Sequence, residues 1–156
     1  MERFPTDGTL EEITEQTQQS FSDLSAFFGT FEPEAFASRF GEAWSPAENL
    51  DHLVRSMTGI GKGLSMPKTA LNLTFGKATK PSRTFEQLYA DYQLVLKGGA
   101  KAGGPYLPES FSESPHPASL QSSLIKAWND CGVKFVKALG KWADEDLDTY
   151  RLPHPV

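Results

Sequence analysis

The fold is decided at residues 44–53, which read Trp44-Ser45-Pro46-Ala47-Glu48-Asn49-Leu50-Asp51-His52-Leu53. Ser45 is a good helix N-cap, because its hydroxyl can accept a hydrogen bond from a free backbone N–H of the first turn. Pro46 suits the first helical position, where the N–H that proline lacks would have no partner inside the helix. Glu48 follows Ser45 by three residues, so its carboxylate can accept a hydrogen bond from the Ser45 amide and complete a capping box. The stretch therefore predicts a helix that begins at Pro46 and holds His52 rigidly, almost two turns in.

Apolar residues recur at helical spacing in three long segments of the chain. The predicted helices run from about residue 10, after the capping residue Thr9, to residues 29–31, from 46 to 64, and from 118 to 143. A shorter amphipathic helix, capped by Thr84, is predicted to reach residue 97. We expect one or two helical turns after residue 33, irregular connections over 65–83 and 97–118, and a loop from Asp144 to Val156, since prolines and glycines interrupt most of these segments.

Length and charge limit the classes of function. The chain has 156 residues, which is the size of a single domain, and its 20 acidic and 15 basic residues give a net charge of −5. This balance argues against nucleic acid as a partner. No apolar run is long enough to span a bilayer, and the N-terminus lacks the features of a signal peptide. The single cysteine, Cys131, cannot form an internal disulfide or a cysteine-based zinc site, so a reducing cytoplasm is the simplest setting.

Residues 44–53 resemble the start of the second helix in DinB-like proteins, a superfamily of metal-binding four-helix bundles. A second similarity is found at the far end of the chain, where Asp146-Leu147-Asp148 and Leu152-Pro153-His154-Pro155-Val156 resemble the loop that leads into the last helix of that family. In DinB-like proteins the histidine of the second helix is one of three histidine ligands to a divalent metal. The other two belong to an H-x-x-x-H pair on the last helix, and the sequence stops at Val156, where that helix would begin.

The resemblance implies an all-α fold over residues 1–156, an up-down helical bundle of DinB-like type with three long helices and a short one. It implies that the last family helix and its histidine pair are absent. It also implies that His52 is a ligand of zinc, nickel or iron, and that the substrate is a small molecule. The family activities are those of thiol-dependent transferases or isomerases and of hydrolases. Catalytic residues are not identified, and whether the chain is an enzyme stays open.

Each candidate residue also has an ordinary structural explanation. One histidine cannot hold a catalytic metal, and His52 could be a partly exposed histidine on a capped helix. His116 and His154 each lie between two prolines, where they could complete the site of His52 or be exposed loop histidines. We expect the Glu48 carboxylate to be occupied by the helix cap and the Asp51 carboxylate to face solvent. Cys131 falls on an apolar stripe, which favours a buried small side chain over a reactive thiol.

Three long helices do not complete a bundle, because each must bury an apolar stripe and a fourth helix is the usual closure. The sequence therefore predicts an open groove lined by phenylalanine, leucine and tryptophan, covered either by dimerisation or by the short helix at 84–97. An alternative function follows, in which the chain is a non-catalytic module that forms a homodimer or binds a partner helix through this groove.

Overall fold

The computed structural model describes residues 8–152, and this part of the chain is all-helical apart from loops and one isolated β-bridge between Lys77 and Tyr150. The predicted all-α class is confirmed for these residues. In chain order the helices are α1 Leu10–Gly29, α2 Pro33–Ala37, α3 Pro46–Leu64, α4 Lys68–Phe75, α5 Phe85–Lys97, α6 Pro117–Leu139 and α7 Asp144–Thr149, with one 3₁₀ turn at Gly104–Tyr106.

The predicted capping boxes form at three helix starts. The side-chain oxygen of Thr9, Ser45 or Thr84 accepts from the third backbone N–H of its helix, and the Glu or Gln at that position accepts from the cap amide. Helix α3 starts and ends at the predicted residues, Pro46 and Leu64. These starts are specified locally, because every group of a capping box lies within four consecutive residues.

Helix α6 is the centre of the molecule. Helices α1, α2 and α3 all pack against it, and the α3–α6 contact is the most extensive. Trp128 of α6 is 3% exposed. Its ring centroid lies 4.2 Å from that of Phe21 on α1, and its Nε1–H donates to the Phe21 carbonyl over 2.9 Å. The core therefore lies along the stripe of α6 that the sequence predicts.

The structure corrects three sequence-based boundaries. Residues 68–75 form helix α4 instead of an irregular connection, and the fully buried Leu71 accounts for its stability. Helix α6 ends at Leu139 and not at residue 143, because the chain turns at Gly140 and the Trp142 indole N–H reaches back to the Leu64 carbonyl, 2.8 Å away. Residues 144–149 form α7, where a loop was expected.

A cleft with a volume of about 1120 Å³ opens between α1 and α3 on the surface of α6. Helices α1 and α3 each pack on α6 and have at most marginal contact with each other. The lining of the cleft is mixed. Apolar side chains of α1, α3, α5 and α6 contribute, and so do three charged side chains, Arg83, Asp144 and Asp148. The start of the short helix α5 lines part of this cleft, and the open groove expected from three long helices stays a prediction.

Candidate functional site

His52 lies on a face of α3 that a distant loop covers. Its Nδ1 is 2.8 Å from the backbone oxygen of Tyr106. A carbonyl oxygen can only accept, so Nδ1 carries a proton and donates it to Tyr106. The half-buried imidazole also lies beside Trp44, with 5.3 Å between ring centroids. In the neutral ring the hydrogen bond to Tyr106 selects the tautomer with the proton on Nδ1, and Nε2 has no hydrogen-bond partner among residues 8–152.

Two further contacts hold the same loop on α3. The Glu109 N–H donates to Asp51 Oδ2 over 2.9 Å. The Arg55 guanidinium lies between the two carboxylates, 2.7 Å from Asp51 Oδ2 and 2.7 Å from Glu109 Oε1. We call residues 104–109, together with Asp51, His52 and Arg55, the loop clasp. It positions the His52 ring through backbone and charged groups that come from two distant parts of the chain.

Gly59 allows the clasp to close. A Cβ at this position would lie 3.2 Å from Cε1 and 3.3 Å from the hydroxyl oxygen of Tyr106. The Tyr106 ring therefore packs on α3 at Gly59, about two turns after His52. Gly59 lies seven residues after His52 and therefore on the same side of α3, and Tyr106 fills the space above it.

The expectation that Asp51 faces solvent is wrong. Asp51 is 8% exposed, because the loop covers it and both Glu109 and Arg55 bind its carboxylate. The hydrogen bond to Asp51 raises the pKa of Arg55, and that to Glu109 adds to the effect, although burial acts in the opposite direction. The guanidinium of Arg55 thus links the side chains of Asp51 and Glu109 across the clasp.

Glu48 anchors the start of α3, as predicted, and has a second partner that the sequence does not indicate. Its side chain is fully buried, accepts the Ser45 N–H over 2.8 Å and pairs with Arg39 Nε at 2.7 Å. Burial of the carboxylate raises its pKa, but the hydrogen bonds from Arg39 and Ser45 outweigh this, and the net pKa of Glu48 lies below its ordinary value. No sequence motif links Arg39 to the helix start.

The other candidate ligands do not gather around His52. His116 is exposed and occupies the N-cap position of α6, and Cys131 is buried with its sulfur 3.5 Å from the Thr58 hydroxyl oxygen. Burial confirms the packing interpretation of Cys131. His154 lies outside the described residues. Within residues 8–152 no group of three or more histidine, cysteine, aspartate or glutamate side chains is placed to hold a metal ion.

The described residues therefore fit a metal only in part. The neutral His52 ring has the tautomer of a ligand, and the two further histidines that the DinB-like resemblance calls for are not found in this part of the chain.

Comparisons with protein-family models, with curated proteins and with solved structures find no match to this chain. None of the helices described between residues 8 and 152 has the length and apolar character needed to cross a membrane. The cytoplasmic setting expected from the single cysteine stays a prediction.

Proposed function

We propose that this protein is a DinB-like helical-bundle protein in which His52 is the α3 ligand of a divalent-metal site. The observation that carries the proposal is the hydrogen bond from His52 Nδ1–H to the Tyr106 carbonyl. Metal-ligating histidines usually donate their second ring N–H to a carbonyl or carboxylate, which fixes the tautomer and orients the free nitrogen. The capped start of α3 and the loop clasp supply this support for His52.

The resemblance assigns zinc, nickel or iron to the site, and a small molecule as the substrate of a thiol transferase, isomerase or hydrolase reaction. A divalent metal in such a site lowers the pKa of a bound thiol or water. In this chain, the Tyr106 carbonyl accepts a hydrogen bond from Nδ1–H of His52 and so orients the ring. Asp51 and Arg55 hold the loop that carries Tyr106. The first residue to examine for a further ligand is His154, followed by His116.

Metal content, measured by plasma mass spectrometry on the purified chain, tests this proposal. We expect about one zinc, nickel or iron ion per chain, and loss of the ion in His52→Asn. The amide introduced by this substitution could still donate to the Tyr106 carbonyl but would offer no second ring nitrogen, so the variant separates metal binding from loop anchoring. Lys62→Asn, which places the same amide at an exposed position of α3, is the matched control and should leave the metal content unchanged. Absence of bound metal after loading and dialysis, or equal metal content in His52→Asn, would contradict the proposal.

A second function is favoured by a different observation, the cleft between α1 and α3. In this alternative the chain is a non-catalytic helical module that binds a protein partner there, and His52 serves only to anchor the loop at residues 104–109. A metal-free chain with an intact clasp would favour this function over the metal-dependent one.

A further inference from the structure

The segment at residues 104–109, which we call the strap, is fastened to α3. Its 3₁₀ turn has at most marginal contact with the other helices of residues 8–152. The three side chains that hydrogen-bond to it, Asp51, His52 and Arg55, lie within five consecutive residues of α3. Gly59 of the same helix lies beneath its tyrosine ring. The strap is therefore attached to one surface, and these contacts can be lost without separating any two of the packed helices.

The strap is stiff inside and lies between a glycine and an apolar anchor. Residues 104–106 form the 3₁₀ turn, and two prolines, Pro105 and Pro108, fix φ in its backbone. At its start Gly104 has a φ of +56°, a left-handed value that glycine adopts without strain. Just beyond its end Phe111 packs against the hydrophobic core. Because the segment between these two points is stiff, its contacts with α3 should form and break together.

The closed strap buries little apolar surface. Its Glu109 side chain is 70% exposed, Leu107 is 53% exposed, and the Tyr106 side chain is only half-buried. Regions that have few buried apolar contacts open at a lower free energy than core helices do. We therefore expect the strap to leave α3 far more often than α6 unfolds.

Asp51 joins the polar contacts of the closed strap. Its Oδ2 accepts the Glu109 N–H over 2.9 Å and lies 2.7 Å from Arg55 Nε. The Arg55 guanidinium also binds the Glu109 carboxylate at 2.7 Å. The same closure places the Tyr106 carbonyl 2.8 Å from Nδ1 of His52. Opening of the strap would therefore release three polar side chains of α3 at once.

We propose that the strap opens and closes over α3 as one unit, independently of the helical core, and that Asp51 is the positioning residue that keeps it closed. In the closed form the neutral His52 ring carries its proton on Nδ1, because the Tyr106 carbonyl accepts from it. In the open form this preference is lost, and Asp51, His52 and Arg55 face solvent together. The inference goes beyond the proposed function and does not depend on metal binding by His52.

Hydrogen exchange of the full chain in low concentrations of urea, followed by NMR, tests whether the strap opens independently of the core. The Glu109 N–H should exchange faster than the backbone N–H of Trp128, at the centre of α6, and its rate should not depend on urea, because little surface is exposed when the strap opens. The Trp128 rate should rise steeply with urea, since that amide exchanges only when the core unfolds. Equal protection and equal urea dependence of the two amides would overturn the proposal.

Two substitutions, each measured at a contact that it does not touch, test whether the strap moves as one unit. Asp51→Ala removes the acceptor for Glu109, and the NMR signals of the two ring nitrogens of His52, recorded at pH 8, should lose their Nδ1–H character. Gly59→Leu displaces the Tyr106 ring and should lower the protection of the Glu109 N–H at least about tenfold, as expected for overpacking.

Asp91→Ala is the matched control for Asp51→Ala, because it removes an aspartate from an exposed ion pair of α5. It should leave the His52 signals and the protection of the Glu109 N–H unchanged. His52 signals that stay the same in Asp51→Ala, or a Glu109 N–H that keeps its protection in Gly59→Leu, would overturn the proposal, because the contacts would then break separately.

Discussion

Helices α5 and α6 carry the same kind of apolar stripe and end in opposite environments. Helix α6 buries seven residues against α1, α2 and α3, whereas α5 buries none. Both stripes have the helical period, so the period itself does not distinguish them. What distinguishes them is whether a matching surface exists among the described residues. The comparison indicates that α6 organises the core of residues 8–152 and that α5 contributes no buried residue to it.

Removal of one large ring from each helix should separate the two roles most clearly. Trp128→Ala removes the ring that stacks on Phe21 and is expected to lower the free energy of unfolding by about 3–5 kcal/mol. Tyr89→Ala on α5, where the side chain is 56% exposed, should change it by less than about 0.5 kcal/mol. Urea unfolding of both variants, at a concentration that keeps the chain monomeric, measures the difference. Equal losses would show that α5 belongs to the folded core.

Two ion pairs, one buried at the start of α3 and one exposed at the start of α5, extend the comparison between the core and α5. Glu48→Gln removes a buried carboxylate from Arg39 and Ser45, and should cost about 1.5–3 kcal/mol at pH 7, as for other hydrogen bonds to buried charges. Asp91→Asn breaks a pair with Arg83 in which both side chains are more than half exposed, and should have an effect too small to measure.

The pH dependence of Glu48→Gln has a defined sign. Folding lowers the pKa of Glu48, so the stability that its carboxylate contributes is present above the unfolded-state pKa, which is near 4.5, and is lost as the pH falls through the lower folded-state pKa. Unfolding free energies measured from pH 7 down into the acid range should therefore converge for the wild type and Glu48→Gln. A constant difference across that range would contradict the assignment.

Two glycine-to-alanine substitutions, with smaller expected effects on stability, measure how closely α6 packs against α1 and α3. A Cβ on Gly132 would lie 2.7 Å from Cγ of Phe21, so Gly132→Ala should destabilise the chain by about 1–2 kcal/mol through overpacking. At Gly61 of α3 the nearest side-chain atom, Phe135 Cδ2, is 3.6 Å away. Gly61→Ala should therefore stabilise the chain by up to about 1 kcal/mol, the helix-propensity gain. Thermal unfolding of the two variants shows whether the α1–α6 contact is the tighter one.

The elements that could be predicted are those whose determinants are local. The starts of α1, α3 and α5 follow from capping boxes within four consecutive residues. Helices α4 and α7 could not be predicted, because their stability depends on contacts between them and the rest of the chain. Lys68 of α4 pairs with Asp146 of α7, which also accepts the Ala143 N–H over 2.7 Å, and Leu71 is buried only once the chain has folded around it.

In the candidate site, too, the features with local determinants could be predicted and those that depend on distant contacts could not. The position of His52 on α3 follows from the helix start, and the use of Glu48 as a cap follows from its spacing to Ser45. The loop clasp could not be predicted in this way, because its hydrogen bonds to α3 join residues that are 54 and 58 positions apart in the chain. The error at Asp51 has this cause, since an aspartate on the polar side of a helix looks exposed until a distant loop covers it.

The contacts of the clasp also indicate where the chain could be cut into two fragments. Residues 79–83 are exposed, and both sides of this linker are tied to the body, one through α3 and the other through the clasp and α6. Exposed linkers of this kind are where chains are most readily cut or extended. A chain opened there would leave α1 to α4 on one fragment and α5 to α7 on the other. Because α6 needs α1 and α3 to cover its stripe, we expect the two fragments to reassemble without a covalent link.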